Sequence, residues 1–82
     1  LEMSQRVSMY PNPATDVVKL EMPKRYQHIK ATIFDAQGMA YSTAQFQNRK
    51  EFELSIAALP TGIYTLQILA DDEWATKRIV KH

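Results

Sequence analysis

Few side chains in this sequence could carry out acid–base or nucleophilic chemistry. The chain has two histidines, His28 and the last residue His82, and no cysteine. A nucleophile activated by histidine would therefore depend on His28 alone. The consecutive acids Asp71–Glu73 are typical of a solvated turn between two strands, rather than of a catalytic carboxylate pair. The sequence predicts that the protein is not an enzyme.

Metal and cofactor sites are not indicated by the sequence. Asp16, Asp35 and the acids at 71–73 could supply oxygen ligands to calcium, but the chain contains no Asp-x-Asp-x-Asp-Gly loop. Glycine-rich phosphate loops and basic clusters interleaved with aromatic residues are also missing. A net charge of +1 attracts neither nucleic acid nor an anionic membrane strongly. We expect no metal, no cofactor and no nucleic-acid partner.

Aromatic side chains keep a binding function open. Flat rings give a large contact area to a carbohydrate or a peptide, and the candidates are Tyr26, Phe34, Tyr41 and Trp74. A single tryptophan in a domain of this size is more often packed in the core, and we expect Trp74 there. A small carbohydrate-binding or adhesive module is therefore the alternative function.

Length and composition indicate one small folded domain. The chain has 82 residues, of which 45% are hydrophobic and 23% charged, an ordinary balance for a single core. Its apolar runs are far shorter than the roughly 20 residues that span a bilayer. No signal peptide opens the sequence, so we expect any export signal to belong to a longer parent. We assign residues 1–6 to a linker or a cloning remnant and residues 7–82 to the domain, with the native status of Leu1, Glu2 and His82 open.

Alternating apolar and polar residues predict seven short strands and no helix. Pro23 is expected to end the second strand, and the weakly patterned fourth strand suits the edge of a sheet. The predicted strands are Val7–Tyr10, Val18–Met22, Ile29–Phe34, Met39–Phe46, Phe52–Ile56, Ile63–Leu69 and Trp74–Lys81. The fold class is all-β, and an antiparallel sandwich is favoured over a small, partly open barrel.

Two segments combine proline with other turn residues. Tyr10-Pro11-Asn12-Pro13 fixes φ at two positions and removes two backbone donors, which predicts a rigid corner. Leu59–Tyr64 places a proline-preset turn before the strongest strand, where Tyr64 is expected to point inward or to cap the sheet with its hydroxyl. Gly38 and Gly62 both lie between apolar runs, so we expect turns there that use the tolerance of glycine for positive φ.

The closing strand carries three cations. It ends on Thr76-Lys77-Arg78-Ile79-Val80-Lys81, in which Lys77, Arg78 and Lys81 are the cations. Lysine and arginine on an edge strand commonly prevent it from pairing with other chains. Edge protection is therefore the structural role expected of these cations.

Taken in order, these segments resemble the C-terminal sorting domain of the type IX (Por) secretion system, in its type A form. That family has a Tyr-Pro-Asn-Pro motif, an Asp-x-x-Gly hairpin, a Leu-Pro-x-Gly-x-Tyr segment and a lysine-rich closing strand. The corresponding residues are Tyr10–Pro13, Asp35–Gly38, Leu59–Tyr64 and Lys77–Lys81. The resemblance extends from Val7 to the end of the chain. It departs from the commonest ending at Arg78, where the family often has lysine, and at His82.

The resemblance implies a non-catalytic, immunoglobulin-like sandwich carried as the tail of a larger exported protein. Such a protein crosses the inner membrane by an N-terminal signal peptide, folds in the periplasm and is recognised through the tail by an outer-membrane translocon. A sortase-like protease at the cell surface then commonly removes the tail, and many cargos are joined to lipopolysaccharide. By this likeness, we expect cleavage at or before residues 1–6 and a cargo that ends at the cell surface or outside the cell.

A signal that is read after folding must be a surface on a rigid scaffold. We expect the translocon to read the closing strand and the loop before the strongest strand, with candidates Pro60, Gly62, Tyr64, Lys77, Arg78 and Lys81. The remaining motif residues are expected to serve mainly the fold, namely Tyr10, Pro11, Asn12, Pro13, Asp35 and Gly38. An uncovered edge strand in the excised domain could also pair with a second copy.

Overall fold

The computed structural model describes residues 2–82, and Leu1, the first residue of the predicted linker, lies outside the described residues. The part described is all-β, as predicted, apart from one turn of 3-10 helix at Ser4–Arg6. Its five strands are β1 (Ser8–Tyr10), β2 (Val17–Phe34), β3 (Ala40–Ser55), β4 (Gly62–Ala70) and β5 (Glu73–Lys81).

A membrane-spanning helix, long and apolar enough to cross a bilayer, is not found among residues 2–82.

The predicted number of seven strands is wrong, because two pairs of predicted strands are continuous. Val18–Met22 and Ile29–Phe34 are parts of β2, while Met39–Phe46 and Phe52–Ile56 fall largely within β3. The seven-stranded immunoglobulin-like sandwich is therefore not confirmed. A curled antiparallel sheet of five strands is observed in its place.

The two long strands bend together without ending. Their ladder runs to the pair Glu21–Glu51 and resumes at Tyr26–Arg49, so residues 22–25 of β2 lie opposite a single residue of β3. Such an irregularity bends a strand and increases its twist. Pro23 lies inside it, where its missing N–H removes no bond from the β2–β3 ladder. The expectation that Pro23 ends a strand is therefore wrong.

The bend divides the sheet into two parts that share one core. Before the bend, β2 pairs with β1 and with the end of β3. After the bend, it pairs with the start of β3 and with β4, and β4 pairs with β5. Both parts supply alternate side chains to the same buried cluster, among them Val18, Leu20, Leu66, Ile68 and Ile79. β3 pairs with β2 alone, which confirms the predicted edge position.

Trp74 does not lie in the core, and the expectation that it does is wrong. Its side chain is 42% exposed, whereas the next residue, Ala75, is fully buried. Successive side chains of a strand point to opposite faces of the sheet. Because Ala75 and Ile79 fill the inner face of β5, Trp74 is placed on the outer face.

The N-terminal segment packs against β5. Met3 is 2% exposed and joins the buried cluster. Its N–H donates to the carbonyl of Trp74 at 2.7 Å, and the N–H of Thr76 donates to the hydroxyl of Ser4 at 2.8 Å. Residues 2–6, the described part of the predicted linker, are therefore bonded to the domain.

A buried tyrosine ties the bend of β2 to β5. Tyr26 is 1% exposed, and its hydroxyl donates to the carboxylate of Glu73 at 2.6 Å. Glu73 also forms ion pairs with Lys24 at 3.6 Å and Arg6 at 4.0 Å. Burial, and then the bond to Glu73, raises the pKa of Tyr26 to about 12. The same bond is the main cause that lowers the pKa of Glu73.

We expect the protein to lose stability at alkaline pH because Tyr26 ionises less readily when folded. Its folded pKa of about 12 lies above the ordinary value of 10, so its contribution is complete below pH 10 and is lost as the pH rises toward 12. The free energy of unfolding in urea should fall across this interval. Tyr26→Phe should reduce that fall and, at neutral pH, lower stability by about 1 to 3 kcal/mol.

The control is Thr15→Ala, at an exposed residue without a titratable side chain, which should leave the alkaline profile unchanged. An alkaline fall in Tyr26→Phe as steep as in the wild type would contradict the assignment.

Candidate functional site

All four segments singled out in the sequence meet at one end of the curled sheet. There β4 begins and β5 ends, with Gly62 paired with Lys81. On the other side of β5, Ala14 forms a bridge to Lys81. The turn after β2 is close by, because Phe34 pairs with Thr65 of β4. We call this region the motif end, and it comprises Tyr10–Pro13, Asp35–Gly38, Leu59–Tyr64 and Lys77–Lys81.

Asn12 gives the proline-rich segment its structural role. Its side-chain carbonyl accepts from the N–H of Val80 at 3.0 Å, and its amide donates to the carbonyl of Arg78 at 3.1 Å. A neighbouring strand would offer β5 the same donor and acceptor. Pro11 and Pro13, which both follow cis peptide bonds, have no N–H to offer. The Asn12 side chain therefore supplies the pairing that the backbone of this segment cannot.

The outer edge of β5 is bonded at both ends. The N-terminal segment covers Trp74 and Thr76, as described above, and Asn12 covers Arg78 and Val80. Beyond them, the N–H of Ala14 donates to the carbonyl of Val80 at 2.9 Å. The edge of β5 is therefore covered by other residues at these positions. The structure shows no open edge there that Lys77, Arg78 and Lys81 would protect.

The three cations of β5 do not form one patch. Lys77 and Lys81 lie on the face that also carries buried Ile79, whereas Arg78 lies on the opposite face. Arg78 is exposed, and the two lysines are half-buried. None of the ion pairs found within residues 2–82 includes any of the three. Lys81 Nζ donates to the carbonyl of His82 at 3.2 Å, and Arg78 is exposed on the outer face of the strand.

Tyr64 holds the loop that precedes β4. Its side chain is 6% exposed, and its hydroxyl donates to the carbonyl of Pro60 at 2.6 Å. The Tyr41 ring meets it edge-on, with the ring centroids 6.0 Å apart. Burial is the main cause that raises the pKa of Tyr64, followed by Tyr41 and Asp35. Of the two alternatives for Tyr64, the inward position is confirmed; its hydroxyl bonds to the preceding loop and not to the sheet, and Pro60 is left exposed.

The hairpin turn at Asp35–Gly38 needs both of its defining residues. One carboxylate oxygen of Asp35 accepts from the N–H groups of Gln37 and Met39, each at 2.9 Å. Gly38 has φ +86, in the left-handed region that side chains other than glycine rarely adopt. The expected positive φ at Gly38 is confirmed.

Gly62 differs from Gly38 in having no conformational need for glycine. Its φ lies outside the left-handed region, so the expected positive φ is wrong here. A Cβ added to Gly62 would lie 3.8 Å from the Tyr64 ring, which is an ordinary contact. The local backbone therefore gives no reason for glycine at this position.

Asp71, the first acid after β4, has a structural role in the turn. The carboxylate of Asp71 accepts from the N–H groups of Gln27 at 3.3 Å and His28 at 3.1 Å, and so caps the exposed edge of β2 there. An open groove of about 540 Å³ lies beside His28, and Asp71 is the one acid among the residues that line it. The turn role predicted for these acids is confirmed for Asp71.

The aromatic residues do not form a common platform. Tyr26 is buried and Phe34 half-buried. Tyr41, 48% exposed, lies at the motif end, whereas Trp74 lies at the opposite end of the sheet, beside Leu69. The sequence does not reveal this separation. Alternation of apolar and polar residues indicates which face of a sheet a side chain lies on, but not how far apart two rings are.

A family model described as the secretion system C-terminal sorting domain matches residues 8–82. The match begins at the first residue of β1, and it includes all four segments of the motif end. No curated protein matches the chain.

We expect Asn12→Ala to destabilise the protein by about 1 to 3 kcal/mol, because it leaves two backbone groups of β5 without partners. Urea unfolding measures the loss, and hydrogen exchange at the Val80 amide should become faster. Asn12→Asp keeps the acceptor and loses the donor, so its loss should be smaller. Exposed Thr15→Ala is the control, and an Asn12→Ala variant as stable as this control would disprove the role of Asn12.

Proposed function

Because the chain belongs to the family of type IX secretion system C-terminal sorting domains, we propose that it is the tail through which an outer-membrane translocon recognises a larger cargo protein. A sorting domain implies a cargo and secretion machinery in general, and its destination is the cell surface or the extracellular space. The finer steps proposed for this chain are transit through the periplasm, recognition of the folded tail and removal of the tail at the surface.

The observation that carries this proposal is the convergence of the four family segments at the motif end. They are spread over most of the sequence, yet hydrogen bonds and strand pairs bring them to one end of the sheet. A surface assembled in this way exists only in the folded domain. Such a surface suits a signal that is read after folding. This role requires no catalysis by the side chains of the domain.

We propose that the translocon reads both faces of the motif end, with Gly62, Lys77 and Lys81 on one face, Arg78 on the other, and Pro60 in the loop before β4. Pro60 and Arg78 are exposed, and Gly62 has no conformational reason to be glycine. A missing side chain at Gly62 lets another backbone approach closely. Carboxylates of a partner would form charge-assisted hydrogen bonds with the three cations. Tyr64 acts indirectly, since it is buried and holds the Pro60 loop.

The packing of the N-terminal segment limits where the tail can be separated from the cargo. Met3 is buried, and the segment from Met3 to Ser4 is hydrogen-bonded to β5. A protease needs an extended, accessible backbone, which this segment lacks. We therefore propose that the surface protease cuts before Glu2, and that residues 2–82 leave as one unit while the cargo is attached to lipopolysaccharide.

Residues 1–82 fused to the C terminus of an inert periplasmic reporter should carry the reporter out of the cell in a strain that has the type IX translocon. The same fusion should stay in the periplasm of a strain without the translocon. Immunoblots of the periplasm and the medium measure the distribution. Retention of the reporter in both strains would refute the proposed function.

We expect Gly62→Ala to reduce export of this reporter at least several-fold while changing the free energy of unfolding by less than about 0.5 kcal/mol. The reason is that the added methyl group would clash with the partner, whereas within the domain it makes only an ordinary contact. Gly38→Ala is the matched control, because strain at φ +86 should cost it about 1 kcal/mol of stability.

Export of Gly62→Ala at the wild-type level would remove Gly62 from the recognition surface. A loss of stability in Gly62→Ala as large as in Gly38→Ala would assign Gly62 to the fold.

A further inference from the structure

An open groove lined by cations lies at the bend of β2 and β3. Its volume is about 420 Å³, and all of its lining residues are exposed. The register explains how cations of two strands meet there, because Tyr26 lies opposite Arg49 and residues 22–25 lie opposite a single residue of β3. We call it the bend groove, and its lining residues are Arg25, Asn48, Arg49, Lys50 and Glu51.

Both arginines of the bend groove are held in position by the protein. Arg25 Nη1 donates to the carbonyl of Asn48 at 2.8 Å. The guanidinium of Arg49 lies over the Phe46 ring, 5.3 Å from its centroid. An aromatic face attracts a cation without using its N–H groups, and a guanidinium has five of them. Each arginine is therefore oriented by one contact and keeps most of its donors for a ligand.

The positive charge of the bend groove is not neutralised by the protein. None of the ion pairs found within residues 2–82 includes Arg25, Arg49 or Lys50. Glu51 is the one acid among the lining residues. Three cations and one carboxylate leave an excess of about two positive charges at neutral pH. An anion with two negative charges would balance this excess.

We propose that the bend groove binds the phosphate group of a small phosphorylated molecule, a monoester such as a sugar phosphate. A phosphate monoester carries about −1.5 to −2 charges at neutral pH, whereas a carboxylate carries one. Its oxygens accept paired hydrogen bonds from guanidinium groups, and the Lys50 ammonium adds a further charge. The volume of the groove is typical of small-molecule sites, so it has room for the group that carries the phosphate.

Acids beside the bend groove disfavour an extended polyanion. Glu21, Glu51 and Glu53 line an adjoining groove, which shares Arg49 and Glu51 with the bend groove. Glu21 and Glu51 lie directly opposite each other in the β2–β3 ladder. A nucleic acid or an anionic membrane surface would bring further negative charges against these carboxylates. A single phosphate group can contact the cations and leave the acids in water.

The bend groove lies away from the motif end. Tyr26, next to Arg25, bonds to Glu73 at the start of β5, whereas the motif end contains the last residues of β5. A ligand in the groove therefore leaves Gly62 and Arg78 accessible. Phosphate binding here is independent of the proposed secretion function, and it can be measured in the absence of a translocon.

A titration of residues 1–82 with inorganic phosphate and with glucose 1-phosphate, followed by NMR in a phosphate-free buffer, tests the proposal. Saturable shifts should appear at the amides of residues 24–26 and 48–51 and at the arginine side chains. Arg25→Gln and Arg49→Gln should each weaken binding at least about tenfold, because each removes a charge-assisted pair with the phosphate. Lys30→Gln is the control, since it removes one exposed cation outside the groove and should bind like the wild type. The same spectra show whether each variant is folded.

The absence of a saturable shift at these residues with either phosphate compound would overturn the proposal. An equal loss of affinity in Lys30→Gln would also overturn it, because the anion would then respond only to net charge. Acetate that binds as tightly as inorganic phosphate would show that the groove does not select phosphate. Binding to vesicles that contain phosphatidic acid, without any response to glucose 1-phosphate, would replace the small molecule with a membrane surface.

Discussion

The closing strand has a sheet neighbour on one side only, and the polar backbone groups on its other side require partners. β5 pairs with β4, while its outer edge is bonded to the N-terminal segment and to Asn12. A strand edge left open is a place where other chains add. Covering it brings the N-terminal residues to the start of β5 and the proline-rich segment to its end. The proline-rich segment joins the motif end because it meets this requirement, although it is far from β5 in the sequence.

The bend in β2 and β3 places this strand over the core. Four residues of β2 lie opposite a single residue of β3, so the hairpin curls and its two halves enclose one set of buried side chains. Tyr26, just after the bend, bonds to Glu73 at the start of β5. Burial makes the ionised form of Tyr26 unfavourable, so the same contact that fixes the curl also makes it sensitive to alkaline pH.

Most of the family motif residues have an architectural explanation, and the few that lack one are those that we propose the translocon reads. Asn12 pairs with β5, Asp35 and Gly38 build a turn, and Tyr64 holds a loop. Gly62 and the exposed residues beside it are not explained by the fold in this way. A recognition domain of this kind combines both groups, because a partner can read only a surface whose shape is maintained by other residues.

Sequence patterns were enough to predict the all-β class, the positions of the extended segments, the edge position of Met39–Phe46 and the family. These properties follow from the local alternation of apolar and polar residues and from the order of short motifs, both of which can be seen in the sequence. Only the folded chain shows that the segments of β2 join through Pro23, that Trp74 is exposed and that Met3 is buried. The fold also shows that Gly62 needs no positive φ and that four separate motifs share one end of the sheet. Strand pairing and burial depend on residues far apart in the sequence, so they cannot be predicted from a local pattern.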